Sequence, residues 1–248
     1  MDKKLKTKKS HKGLIITIST IVAVLGITLT VFFSYVGNYY RADESVQEII
    51  DSDDDITLNS SNDIVFNADS DTGIVFYPGG LVEYTAYIPL LKKIMDSGIS
   101  CILVDMPYNL ALLDSNAANA YIENITDISH WYIAGHSLGG AFGATYAASN
   151  LDKLDGLIML ASYETKDISE SDLDVMCIYG SEDGVLNLEN YEDDKVNLPS
   201  SYVEHIIEGG NHGYFGDYGE QSGDGVATIT REEQQVQTAN YIYQFINE

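Results

Sequence analysis

The sequence predicts an α/β fold, a mainly parallel sheet with helices on both faces, and two observations carry that expectation. From Asp63 onward, short apolar runs suited to buried strands alternate with segments of helical periodicity. Within that alternation Trp131-Tyr132-Ile133 runs into Gly135-His136-Ser137-Leu138-Gly139 and then into an Ala/Gly-rich stretch, which reads as strand, tight turn and helix with a serine at the apex. At 248 residues the chain is long enough for one substantial domain with a large core, and no internal repeat is visible.

Taken in order, the chain opens on a basic head. Lys3, Lys4, Lys6, Lys8, Lys9 and Lys12 are six of its thirteen Lys and Arg residues, whereas only Asp2 of the thirty-eight acids lies in the same stretch. The remainder therefore carries 7 cations against 37 acids. Such a body repels nucleic-acid phosphates and anionic membrane surfaces, so neither is expected as a partner.

Residues 14–36 contain no charge. As a helix they span about 34 Å, enough to cross a hydrocarbon core of roughly 30 Å. The run is too long for a signal peptide and lacks the small-residue cleavage pattern after it. The expected organisation is a cytoplasmic head over 1–13, a single transmembrane helix over 14–36, an acidic linker over 37–62 and an α/β domain over 63–248, placed outside the membrane by the positive-inside rule. The aspartates of the linker (Asp51, Asp53, Asp54, Asp55) lack the glycine and late glutamate of an EF-hand loop, so a solvated stalk is the reading for them.

Inside the domain, strands are expected over 64–66, 73–77, 99–104, 131–134, 157–160, 175–179 and 202–207. Helices are expected over 83–97, where Tyr87, Leu90, Leu91 and Ile94 share a face, over 116–125, after the elbow, and over 231–246. Cys101 and Cys177 each fall in a strand-like run without metal-ligand spacing, which suits a buried structural role. No cofactor and no metal is expected, and the oligomeric state is left open.

A serine on a sharp strand-to-helix turn needs small residues two positions before and after it, and Gly135 and Gly139 fill both. The turn presents the Ser137 hydroxyl and aims the Leu138 N–H, at a helix N-terminus, toward a developing oxyanion. A serine hydroxyl is a weak nucleophile and requires a base held by a third group. Of the five histidines, His11 lies in the basic head, His130 and His136 are too near Ser137 in sequence to turn back on it, and His205 falls in a strand. His212 sits in the glycine-rich loop after the last strand and is the candidate base. The acid belongs between the two in chain order, and the strand over 175–179 ends in Gly180-Ser181-Glu182-Asp183-Gly184, with Asp183 preferred and Glu182 second. The second oxyanion donor is assigned to Gly80 or Leu81, in the Pro78-Gly79-Gly80-Leu81 loop that follows an earlier strand.

Gly135-His136-Ser137-Leu138-Gly139-Gly140, Tyr179-Gly180-Ser181-Glu182-Asp183-Gly184 and Gly210-Asn211-His212 together resemble the α/β-hydrolase superfamily, in particular small membrane-tethered bacterial members related to dienelactone hydrolase. The likeness covers about residues 63–247. It implies a serine hydrolase with Ser137, Asp183 and His212 as triad, acting on carboxylic esters by two-step acyl transfer. Thioester, peptide or acyltransfer chemistry on the same triad, or a noncatalytic binding protein, are the alternatives. The cysteine nucleophile of dienelactone hydrolase is replaced here by serine, so its substrate is not transferred. Only the short segment 162–174 separates the strand after the elbow helix from the acid-bearing strand, too little for a lid domain, so an open site for small or accessible esters is expected. The loop over 217–225 is read as part of the pocket wall.

Overall fold

The computed structural model of the chain describes residues 11–248, with side chains from residue 16 onward. The basic head therefore lies, over residues 1–10, outside the described residues. Two compact units make up the chain, one ending at Asn38 and the other running from Tyr39 to Glu248. The first contains α1 (His11–Val36), in which Ile16–Val36 is long and apolar enough to cross a membrane and leaves almost all its apolar side chains exposed. Thr20, Thr28 and Thr30 return their hydroxyls to carbonyls four residues back, which satisfies those groups without water.

The segment expected as an acidic linker over 37–62 is instead largely docked. The Tyr40 N–H donates to the Leu81 carbonyl and the Asp43 N–H to the Asp217 carbonyl, each at 2.8 Å. Beyond them lie α2 (Val46–Ser52) and β1 (Ile56–Leu58), the latter antiparallel to β2 (Ile64–Phe66). Most acids of this stretch stay in water, Asp43 and Asp53 pair with Arg231 and Lys92, and Val46 and Ile56 are buried while Ile49 and Ile50 pack on the core. Those four apolar residues offset the cost of ordering the segment.

The remaining strands are β3 (Thr72–Tyr77), β4 (Ser100–Leu103), β5 (His130–His136), β6 (Gly156–Leu160), β7 (Asp174–Gly180) and β8 (Val203–Ile207). They complete one eight-stranded sheet of order β1-β2-β4-β3-β5-β6-β7-β8, parallel from β4 to β8 and antiparallel at the β1-β2-β4 edge. The central strands are buried on both faces, as continuous apolar runs require. Over the sheet pack α3 (Ile88–Asp96), α4 (Asn119–Ile122), α5 (Leu138–Ser149), α6 (Leu188–Asp194) and α7 (Arg231–Asn247). Cys101 and Cys177 are buried free thiols.

Two helices depart from the sequence expectation. The one expected from residue 83 opens as a 3₁₀ turn (Tyr84–Tyr87) and becomes α-helical at Ile88, because Pro89 has no N–H to give and fits only the first helical turn. The one expected over 116–125 holds a single α turn. The final helix starts where a capping box forms, with Thr230 and Glu233 exchanging side-chain to backbone bonds. The register sets Tyr77 opposite Gly135, His136 opposite Leu160 and Gly180 opposite Ile207. The loops leaving β3, β5, β7 and β8 thus meet at one rim, the carboxyl ends of the parallel strands.

Candidate active site

Ser137 has φ 51° and ψ −123°, a strained conformation for a residue with a Cβ. It is held there from both sides: its N–H donates to the Leu160 carbonyl at 2.9 Å, and its carbonyl accepts the Ala141 N–H at 3.1 Å. A Cβ at Gly135 would lie 2.6 Å from the Gly139 carbonyl carbon, and one at Gly139 would overlap the carbonyl oxygens of Tyr77 and Pro78. The two glycines therefore serve different neighbours, one the turn itself and the other the end of β3.

His212 and Asp183 come together as a buried pair, Nδ1 to Oδ2 at 2.9 Å, with each side chain 1 % exposed. The other carboxylate oxygen of Asp183 accepts the N–H groups of Val185 (2.9 Å) and Leu186 (2.8 Å), which fixes its orientation. With Nδ1–H given to a carboxylate, Nε2 carries the lone pair, and it has no hydrogen-bond partner among the described residues. Glu182, the second choice of acid, is exposed, and its carboxylate accepts the Ser181 hydroxyl rather than a histidine. His205 stacks on Tyr241 at 3.9 Å, and His130 pairs with Asp155 at the opening of β5, so neither joins this rim.

The base loop is clamped from two directions. Gln234 of α7 accepts the Asn211 N–H and donates to the Asn211 carbonyl. Asp224 accepts the N–H groups of His212 (3.2 Å) and Gly213 (2.8 Å) and, from the acid loop, that of Gly184 (3.1 Å). The 217–225 loop is thus no wall of the Ser137 cavity. It backs the acid and base loops, and its glycines permit the approach: a Cβ at Gly225 would overlap the Glu182 carbonyl.

Of the two oxyanion donors considered after β3, Leu81 is ruled out because its N–H is given to the Asn109 carbonyl at 2.9 Å. Gly80 keeps a free N–H among the described residues and packs so closely on Leu138 that an added Cβ would meet Leu138 Cδ2 at 2.7 Å. Behind them, the buried Tyr87 hydroxyl accepts the Gly79 N–H (3.0 Å) and lies 2.8 Å from His136 Nδ1. Its proton has only that nitrogen to go to, so Nδ1 of His136 is the acceptor. Burial, together with the neighbouring His212 ring at 4.6 Å, holds the His136 imidazole far below its ordinary pKa and neutral. Tyr87 and His136 link the loop after β3 to the elbow, a contact between distant segments that no spacing announces.

Ser137 and His212 both line a cavity of about 590 Å³, walled chiefly by apolar side chains such as Leu138, Phe142, Val185 and Leu186. The segment after β6 closes one side, and within it Glu164 is buried with Oε2 unpartnered. Burial pushes this carboxyl from 4.5 to about 7, against the N–H groups of Lys166 and Thr165 that favour its ionised form. Because the folded pKa is raised, folding favours the protonated acid, and stability falls as pH rises from the unfolded value toward 7. Glu164→Gln is expected to remove that slope: the variant matches the wild type near pH 4, below the unfolded value, and exceeds it by about 2–3 kcal/mol at pH 8. Chemical denaturation at the two pH values checks this, and parallel pH profiles for both proteins would contradict it.

A family model described as alpha/beta hydrolase family matches residues 73–236, well over half of the chain. No curated protein matches the sequence. Among solved structures, Est1E from Butyrivibrio proteoclasticus superposes with a TM-score of 0.55 at 13 % identity, covering 78 % of this chain and 98 % of its own. A monoacylglycerol lipase from Paleococcus ferrophilus gives a TM-score of 0.58 at 13 % identity over 74 % of this chain and 98 % of its own. The dienelactone hydrolase of Anabaena variabilis gives 0.54 at 13 % identity over 77 % and 93 %. At such identities these likenesses speak for the fold alone.

Proposed function

Because the chain belongs to the alpha/beta hydrolase family, we propose that it is a serine hydrolase of carboxylic esters, working through an acyl-enzyme with Ser137 as nucleophile. The observation that supports this most is the buried Asp183–His212 pair, whose unpartnered Nε2 belongs to a side chain lining the same cavity as Ser137. In this reading His212 Nε2 takes the Ser137 proton as Oγ bonds to the ester carbonyl carbon, and the N–H groups of Leu138 and Gly80 receive the oxyanion. The proton then passes from His212 to the departing alkoxide as the C–O bond to the alcohol breaks. Water repeats the sequence on the acyl-enzyme, releasing the acid and restoring Ser137. Asp183 holds the imidazole in the required tautomer and steadies its cation. No cofactor enters any of these steps.

The same reading takes residues 14–36 as a single membrane span with the lysines in the cytoplasm and the hydrolase domain outside. Labelling of the full chain in detergent with a fluorophosphonate probe tests the mechanism: the wild type is expected to be modified and Ser137→Ala not. A folded wild type that takes no label overturns the reading.

A further inference from the structure

The cavity beside Ser137 has the opposite electrostatic character to the rest of the domain. The chain holds thirty-eight acids, yet among the described residues no Asp or Glu lines this cavity, and Lys166 does. Lys92, Lys93, Lys153 and Lys195 all sit within ion-pair distance of a carboxylate. Among the described residues Lys166 is the one lysine of the domain left without such a partner.

The local geometry explains how. Lys166 stands on the segment between β6 and β7, and its N–H donates to the Glu164 carboxyl. The Glu164 carbonyl accepts the Asn197 side-chain amide at 3.1 Å, and the Ile168 N–H donates to the Asn197 carbonyl at 2.9 Å. The segment is therefore stapled on both sides of Lys166; the buried Glu164 carboxyl is bonded to its backbone N–H and forms no ion pair with its ammonium, whose charge acts on that carboxyl only through space. The neighbouring Asp167 is engaged by the Ser169 hydroxyl and N–H. Among the described residues, the other side chains lining the cavity that can titrate are Tyr163, a phenol, and His212, the proposed base, so Lys166 is the lining residue that brings a permanent positive charge.

We propose that Lys166 is a specificity residue and that the substrates are esters carrying a second, free carboxylate, with the apolar walls taking the carbon skeleton and the ammonium taking the anion. This deepens the serine-hydrolase reading and rests on it. The charge can reside on either side of the scissile bond, as in the half-ester of a dicarboxylic acid or the acyl ester of a hydroxy-carboxylic acid. Such a substrate faces long-range repulsion from the acidic body, and the ammonium offsets this only close to the cavity.

The test compares matched esters on the full chain in detergent. The first pair is p-nitrophenyl monoadipate against p-nitrophenyl hexanoate, and the second p-acetoxybenzoate against its methyl ester. The quantity read is the ratio of kcat/KM for the anionic member to that for the neutral one. In the wild type at low salt that ratio is expected to reach about two to five in one of the two pairs, the size of one solvent-exposed charge pair. Which pair shows it assigns the carboxylate to the acyl or the alcohol side. Lys166→Met should bring the ratio to about one or below, Lys166→Arg should keep it, and raising salt should lower it in the wild type only. A ratio of one or less in both wild-type pairs, or one unchanged in Lys166→Met, overturns the proposal while leaving the hydrolase intact. A wild type that takes the fluorophosphonate but hydrolyses none of the four esters also overturns it, whereas one that takes no label overturns the reading beneath it.

Discussion

His212→Ala is expected to lower kcat for a carboxylic ester roughly 10⁴-fold or more while the domain stays folded. Without Nε2 no group lining the cavity can take the Ser137 proton, since the other nearby imidazole, His136, receives the Tyr87 hydroxyl at Nδ1 and is kept neutral by burial. The fold should tolerate the change because Asp183 keeps its two N–H donors, Val185 and Leu186, and the base loop keeps Gln234 and Asp224. Asp183→Asn should cost about 10²–10⁴-fold, because the amide favours the wrong imidazole tautomer. Combining either change with Ser137→Ala should add little, as expected of groups acting as one unit. Steady-state rates beside circular-dichroism melts decide the matter, and a folded His212→Ala protein retaining a tenth of wild-type turnover would require a different base.

Gly139→Ala should destabilise the domain by about 2–4 kcal/mol and abolish labelling of Ser137 with it. The new methyl would enter the space of the Tyr77 and Pro78 carbonyl oxygens, at the end of β3. Those atoms cannot give way cheaply, because β3 is buried and paired with β4 on one side and β5 on the other. Gly143→Ala, on the same helix, is the internal control. Its Cβ would come no nearer than 3.5 Å to Ile133 Cγ1, so the higher helix propensity of alanine should leave stability equal or raise it by up to about 1 kcal/mol. Thermal melts of the two variants should therefore move in opposite directions or differ by several degrees. Equal melts would mean that the elbow relaxes more freely than its backbone contacts imply.

The parallel strands were legible because burial on both faces forces continuous apolar runs such as those over 157–160 and 175–179, and such runs need no knowledge of their neighbours. The elbow was legible for a similar reason, its glycines being a local steric demand. Asp183 and His212 could be chosen out of many acids and five histidines because each lies in the loop after a strand, in the chain order of the α/β-hydrolase fold. What escaped depends on partners far away in sequence. Val46, Ile49, Ile50 and Ile56 are sparse among acids, and only β2 and the core behind it make a helix and strand of that segment. Helix α6 buries Tyr191 alone, which leaves almost no periodic signal. The Leu81 bond to Asn109 joins segments 28 positions apart, and the bridge from Gly79 through Tyr87 to His136 spans 57, of which 49 lie between Tyr87 and His136. Their sequences carry the partners but not the meeting.

The placement of Asp224 has one more consequence. Three amides from two separate strand ends terminate on a single carboxyl group, so neither end can peel away without releasing the other. Acid and base consequently share one fate: the rim is either wholly assembled or wholly dismantled, and a half-formed pair with a stray imidazole has no stable place in this molecule.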